Sequence, residues 1–508
     1  MANDYLTGWR LILLNIAIGL GTFTQILDTS IANVAVPYIA GNLSVSPDQG
    51  TWVITSFAAS NAVVLPLTGW LSDYFGRVRL YVVSVFLFAI VSLFCALSTS
   101  LSMLVFFRVI QGAVAGSLVP LSQSLLVANN PPEKQGTALG FWTTIVIVAP
   151  IVGPVLGGYL TYVYSWPWIF YINLPIGLFS SAVTWFFLSQ RESKIVRNPI
   201  DWLGLFLLII GVCCLQIMFD KGKDLDWFES NAIIALLIIS LISLGYFFIW
   251  TIYQINPIVD LSFFKNRNFT LGTIAITLGF LIYFGSTVTI PLWLQTEQNY
   301  TAYWAGIAVA PIGIIPFIFS TTLGKNLYRF DLRYVSALSF IILSLSFFYQ
   351  ARFTTNIDVG TVMMTRFLQG FGLLLFFLPI FQLSLAGISS ERYASASGLF
   401  HFIRILIGSG FGTSVSIYVW NRLEIFHYER LGEAINLTNP LVRDLYKLPF
   451  SKDTVTQIIS QGVEKQAYML STNDLSWLGG WLLLLMIPFV LLCKKSTQAA
   501  VPTSEVGH

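Results

Sequence analysis

Apolar runs of about 20 residues recur along almost the whole chain, and each is long enough, at about 1.5 Å of rise per residue, to cross a hydrocarbon core of about 30 Å as a helix. Charged, polar and Gly/Pro breaks divide them into fourteen spans near 10–34, 50–72, 79–98, 101–124, 137–160, 166–188, 201–219, 230–252, 269–293, 302–323, 334–350, 359–383, 395–419 and 476–493. The composition agrees. Charged residues make up 10% of the 508, where ordinary globular chains carry about a quarter, which is too little to coat a water-facing surface. The expected fold class is therefore an all-α polytopic membrane protein. Its first run, Leu11 to Ala35, is too long for a signal peptide and carries Asp28, so it reads as a retained span.

Charge in the short loops sets the orientation. The loops and termini assigned to the cytoplasm hold fifteen Lys/Arg, among them Arg77, Arg79, Lys134, Arg197, Lys265, Arg333 and Arg392, whereas the short loops opposite hold three, Lys221, Lys223 and Arg352. The positive-inside rule then places both termini in the cytoplasm. The stretch 421–475, with six Lys/Arg, reads as a longer exterior loop with helical patches at Leu431 to Ile435 and Val455 to Tyr468.

Several function classes find no support. Cys95, Cys213, Cys214 and Cys493 all lie in apolar runs without zinc or redox spacing, so neither metal nor cofactor is expected. The net charge of +3 shows no basic groove with interleaved aromatics, which argues against nucleic acid. No phosphate-binding GxxxxGK[ST], HExxH or GxSxG is present, so an ATP-driven pump or hydrolase is not expected.

Adding 258 to a residue number in the first half repeatedly lands on a matching residue in the second: Arg108/Arg366, Gln111/Gln369, Gly112/Gly370, Glu133/Glu391, Lys134/Arg392, Ala138/Ala396 and Gly140/Gly398. Spans 1–6 and 9–14 therefore read as two copies of a six-helix bundle, with spans 7 and 8 an inserted hairpin. The expected division is 1–190, 191–256 for the hairpin, 257–495 for the second bundle with its periplasmic loop 421–475, and a cytoplasmic tail 496–508. Such repeats place substrate near the midplane between the halves.

A charge inside a span costs a few kcal/mol or more unless paired or hydrated, so it is a candidate for function. Asp28, Arg108, Arg366 and Arg404 qualify, with His401 one turn from Arg404. Asp28 reads either as a proton carrier coupled to Arg108, since a carboxylate exchanges a proton and arginine does not, or as half of a static ion pair. Glu297, at the exterior end of span 9, is a second possible proton acceptor or a solvated acid. Asn33, Gln111, Arg366, Gln369, His401 and Arg404 are assigned to the substrate cavity, with a helix contact as the alternative for His401. More arginines than acids within the spans would favour neutral or anionic substrates. The glycines of Gly112-x-x-x-Gly116, Gly153-Pro154 with Gly157-Gly158, and Gly408-x-x-x-Gly412 would let helices approach or bend.

The loop Gly69-Trp-Leu-Ser-Asp73-Tyr-Phe-Gly76-Arg77-Val-Arg79 resembles the signature loop of the major facilitator superfamily. Leu27-Asp28-Thr-Ser-Ile-Ala-Asn33-Val-Ala-Val-Pro37, Arg108-x-x-Gln-Gly112 and Gly153-Pro154-x-x-Gly157-Gly158 look like the fourteen-helix drug:proton antiporter family. Gln49 to Phe57, Trp168 to Gly177 and Asn256 to Phe269 are similar to EmrB-type multidrug permeases, whereas His401 stands where a common Asn is replaced. The resemblance implies the major facilitator fold and export of hydrophobic or amphiphilic, often weakly acidic compounds against inward proton flow. It further implies a tripartite assembly with a periplasmic adaptor (EmrA-type) and an outer-membrane channel (TolC-type). A dedicated exporter of one metabolite, such as a siderophore, or a non-transporting scaffold or receptor are the competing readings.

Overall fold

The computed structural model describes residues 5–495 apart from 197–198, 223–224, 255–256, 390, 434, 436–438, 446, 448 and 450, and it leaves the side chains of 47–48, 151, 154, 302–303, 409 and 441 undescribed. Arg197, Lys223, the tail 496–508 and the Pro154 side chain thus lie outside the described residues. Thirteen helices among them are long and apolar enough to span a membrane, and a bent pair supplies a fourteenth. Every expected run has its helix. Spans 1–4 are Gly8–Asn42, Trp52–Phe75, Arg77–Ala96 and Leu101–Asn129; span 5 is Pro132–Pro150 with Val155–Val163, and span 6 Trp168–Leu188. Spans 7 and 8 are Trp202–Lys221 and Asn231–Tyr253. Spans 9–14 are Arg267–Thr296, Trp304–Arg329, Leu332–Gln350, Val359–Ser384, Tyr393–Glu433 and Lys452–Leu491.

Most helices run past the boundaries read from polar breaks, because a proline or a polar residue need not stop a helix whose neighbours satisfy it. Pro37, Pro291 and Pro379 all lie inside helices. The largest difference is at 421–475, expected as an exterior loop with helical patches at Leu431 to Ile435 and Val455 to Tyr468; the second patch lies within the helix Lys452–Leu485, and the helix of span 13 reaches the start of the first. Spans 13 and 14 instead continue as helix to Glu433 and from Lys452, forming an antiparallel pair. Trp420 Nε1 donates to Thr472 Oγ1 at 2.9 Å, and His427 Nε2 lies 2.8 Å from Asp474 Oδ2. Hydropathy marks where a helix leaves lipid, not where it ends.

Helices pack within each half through small residues, as bilayer-embedded bundles do when apolar burial supplies no net drive. A Cβ on Gly112 would stand 2.3 Å from the Phe57 carbonyl oxygen of span 2, and one on Gly370 2.8 Å from the Ile312 carbonyl of span 10, so residues 258 apart make equivalent close approaches. Spans 7 and 8 pack on one another, and span 7 also touches spans 2 and 13.

The first six and last six spans meet on the side where the chain ends. Gly136 of span 5 and Gly324 of span 10 face each other so closely that a Cβ on either would come within 2.3 Å or 2.1 Å of the other's carbonyl oxygen. Beside them the start of span 13 packs on spans 2 and 4.

Candidate functional site

Four spans converge on Asp28. It sits about 30 Å along span 1 from Gly8, Arg108 and Gln111 lie one turn apart on span 4, Ser92 comes from span 3 and Asn173 from span 6. Arg108 Nη1 donates to Asp28 Oδ2 at 2.5 Å and to Gln111 Oε1 at 2.8 Å, while its Nε donates to the Val53 carbonyl of span 2 at 3.0 Å. Asn173 Nδ2 donates to Asp28 Oδ1 at 2.9 Å and to Ser92 Oγ at 3.1 Å, and Gln111 Nε2 donates to Ser92 Oγ at 2.6 Å. Asp28 is 2% exposed and Arg108 0%. The guanidinium also lies 4.3 Å from the Phe57 ring centroid.

A buried ion pair is tolerable only when its spare lone pairs and protons are satisfied; here both carboxylate oxygens have donors, while Arg108 Nη2 has no acceptor among the described residues and the guanidinium rests between the rings of Phe57 and Phe170. The same geometry sets a competition. A proton on Asp28 removes the charge that Arg108 pairs with, and Gln111 and the Val53 carbonyl are already in place to hold the released guanidinium.

In the second half Arg366 Nη1 donates to Gln369 Oε1 at 2.7 Å, as Arg108 does to Gln111, while Nη2 donates to the Ser286 carbonyl at 3.2 Å and hydroxyl at 3.3 Å. Ser286 is the residue 258 beyond Asp28. The repeat therefore places a hydroxyl where the first half has a carboxylate, and no ion pair forms at Arg366 among the described residues.

A third polar group joins the halves. His401 Nε2 lies 2.8 Å from Gln123 Oε1 of span 4, Ser397 Oγ donates to the same oxygen at 2.7 Å, and Arg404 Nη2 donates to His401 Nδ1 at 3.1 Å. The Arg404 guanidinium stands 4.3 Å and 5.1 Å from the ring centroids of Phe280 and Phe377. A π-helix begins at Arg404 and runs to Phe411; such stretches recur at functional sites.

With this geometry in view, comparison with known proteins assigns the family. The profile of the Major Facilitator Superfamily matches residues 18–413. The chain belongs to the Major Facilitator Superfamily. It is 45% identical over 494 residues to the multidrug export protein EmrB of Escherichia coli strain K12, covering 96% of each chain. It is 45% identical to the protein of the same name in Haemophilus influenzae, covering 94% of this chain and 95% of that one. The fatty acid resistance protein FarB of Neisseria gonorrhoeae is 42% identical, with 97% and 98% covered. The crystal structure of the human organic anion transporter MFSD10 superposes with a TM-score of 0.54 at 11% identity, over 94% of this chain and all of that one, which bears on the fold.

In this facilitator the signature loop is a joint between halves. Gly76 has φ 90°, in the region that favours glycine, and a Cβ there would strike the Glu192 carboxyl at 2.4 Å. Glu192 accepts from Val78 N at 3.0 Å and Arg79 N at 2.8 Å, capping span 3. Gly69 lies against Ser395 of span 13, the Arg77 guanidinium donates to the Glu391 carbonyl, and the Asp73 carbonyl accepts from Val196 N at 2.8 Å. Span 5 bends by 47° around Gly153-Pro154. There Gly153 and Gly157 pack on Ser30 and Ile31 of span 1, next to Asp28, while Gly158 faces open space.

Two candidates lie apart. Asn33 is exposed, more than a turn beyond Asp28. Glu297 follows span 9 at the base of the span 13–14 hairpin, where burial, with a further push from the neighbouring Glu464, raises its carboxyl above the usual range. Residues the sequence reading did not single out are Ser92 and Asn173 at Asp28, Gln123 and Ser397 between the halves, and Asp220. The last falls within span 7 and accepts from Gln216 Nε2 at 3.1 Å. Asn173 carried a signal, a strongly polar amide inside an apolar run, but its partner lies 145 residues away.

Proposed function

We propose that this facilitator exports hydrophobic and amphiphilic compounds, including weak acids, across the bacterial inner membrane in exchange for protons, by rocking of two six-helix halves with spans 7 and 8 inserted between them. The observation that carries this reading is the fully buried Asp28–Arg108 pair with its alternative partners for the arginine. A proton arriving from outside neutralises Asp28 and releases Arg108, and that resets the carrier after substrate leaves. Each charge moving down the membrane potential supplies about 2.3 kcal/mol per 100 mV. The loop charges place both termini in the cytoplasm, so the contacts at Gly136–Gly324 and Gln123–His401 hold shut the cytoplasmic side. The names of the relatives, multidrug export and fatty acid resistance, support a broad and partly acidic substrate range.

Arg366 and Arg404 are buried cations without carboxylate partners among the described residues, which suits them to an acidic group on the substrate. A charge-assisted hydrogen bond contributes about 1.5–3 kcal/mol, so Arg404→Gln is expected to raise the KM for an anionic dye about 10- to 100-fold and to spare a matched neutral dye. Efflux from reconstituted vesicles under an imposed proton gradient measures both. Movement of cationic dyes alone would overturn the substrate class, and efflux indifferent to the gradient would overturn proton coupling.

The projecting helices of spans 13 and 14 expose Ile425 and Phe426 on one and Ile458 on the other. This apolar surface outside the bundle suits docking of a periplasmic adaptor, which in turn would reach an outer-membrane channel. Replacing residues 424–470 by a short Gly/Ser linker is expected to leave proton binding intact and abolish capture of the adaptor. Normal pull-down by the shortened protein would rule the docking role out.

A further inference from the structure

The chain Gln123–His401–Arg404 leaves little freedom in where its protons sit. Arginine only donates, so Arg404 Nη2 at 3.1 Å requires an unprotonated Nδ1 on His401. A neutral ring then carries its proton on Nε2, which donates to Gln123 Oε1 at 2.8 Å. Ser397 donates to the same oxygen, and Gln123 Nε2 is left buried without an acceptor. His401 and Gln123 are both fully buried. The rings around His401, Trp142 from span 5, Phe377 and Phe381 from span 12 and Phe400 from span 13, bring no charge, while Arg404 brings a positive one. While Arg404 holds Nδ1, protonating His401 would break that bond and set two cations side by side.

From this geometry we infer that His401 is a second proton site, occupied only while an acidic substrate is bound, and that its charge tightens the contact between the two halves through Gln123. The inference rests on Arg404 receiving the substrate's acidic group. When a carboxylate approaches, Arg404 turns to it and vacates Nδ1. The Nδ1 lone pair takes one proton from a hydronium ion of the solution that admits the substrate, leaving neutral water, and the new N–H donates to the same carboxylate. The imidazolium offers its Nε2–H to Gln123 as the halves come together, now in a charge-assisted bond about twice as strong as the neutral one. Loading thus closes the side from which substrate entered. On departure of the carboxylate, Nδ1 loses its proton, Arg404 returns and the latch weakens. One proton is gained per anion bound and lost per anion released, so the bound pair adds no net charge.

The test uses the full chain with 15N-histidine, of which it has three, in lipid nanodiscs, with the His401 signal assigned by His401→Gln. Without ligand His401 is expected as the neutral Nε2–H form. Saturating dodecanoate is expected to convert it to imidazolium, and dodecanol to leave it unchanged. Gln123→Met is expected to keep ligand affinity and the imidazolium signal but to lower dodecanoate efflux about tenfold. Dodecanoate bound with His401 still neutral would overturn this inference alone, as would unchanged efflux in Gln123→Met. Failure of dodecanoate to bind the unaltered protein would overturn the substrate reading beneath it.

Discussion

Asp28→Asn is expected to abolish proton-driven export while substrate exchange between the two faces, measured without a gradient, continues. An amide still accepts from Arg108 but cannot cycle between charged and neutral forms, so the switch that couples proton to conformation is gone. Removing one charge of a buried pair generally costs about 3–5 kcal/mol; hydrogen bonds kept by the amide to Arg108 should hold the loss below that range. The protein should still fold, with a lowered unfolding temperature in detergent. The double variant Asp28→Asn, Arg108→Gln separates the two readings of the pair. A static tie between helices predicts that stability and export recover together once both charges are gone. A proton switch predicts recovery of stability alone. Undiminished export in Asp28→Asn would end the proposal.

Gly136→Leu should arrest the carrier with its terminal side open. The space a side chain would need is filled by the Gly324 carbonyl, 2.3 Å from a Cβ at this position. Both contacts are backbone, and neither helix can yield by changing a rotamer. Separation of spans 5 and 10 also exposes Ser320, 1% exposed when closed, whose carbonyl lies 2.5 Å from a Cβ built on Gly140. Export should fall to background with dye binding retained. A cysteine at Ser320 should react with a membrane-impermeant maleimide far faster in the Gly136→Leu background than without it. Equal labelling in the two would show that the glycine pair does not govern closure.

The helices were legible because their cause is local: a run of apolar residues finds lipid whatever surrounds it. The repeat was legible for a similar reason, since Arg108 and Gln111 return at Arg366 and Gln369 with their spacing intact, and the structure gives each arginine the same bond to its glutamine. The helix at Val455 to Tyr468 was legible from its own pattern, but that it joins span 14 without a break, and that span 13 runs on to Glu433, was not, because these turns are polar and hydropathy falls while the helix continues. The roles of Ser92, Asn173 and Gln123 were missed for a different reason. Each is an ordinary polar residue in its own run, and its partner comes from another span.

His401 shows the same limit. Its spacing from Arg404 puts both on one helix face, but the partner that gives the ring its second bond lies 278 residues away on span 4. Sequence alone determined that this chain crosses a membrane many times, that it was built twice from one pattern, and that three arginines and Asp28 are carried inside at a cost. Only the tertiary structure decided which of those charges is neutralised. Arg108 meets a carboxylate, Arg366 a hydroxyl and Arg404 two phenyl faces and an imidazole. The energy of a buried charge depends on the few atoms around it, and in a helical bundle those atoms belong to helices that the sequence keeps far apart.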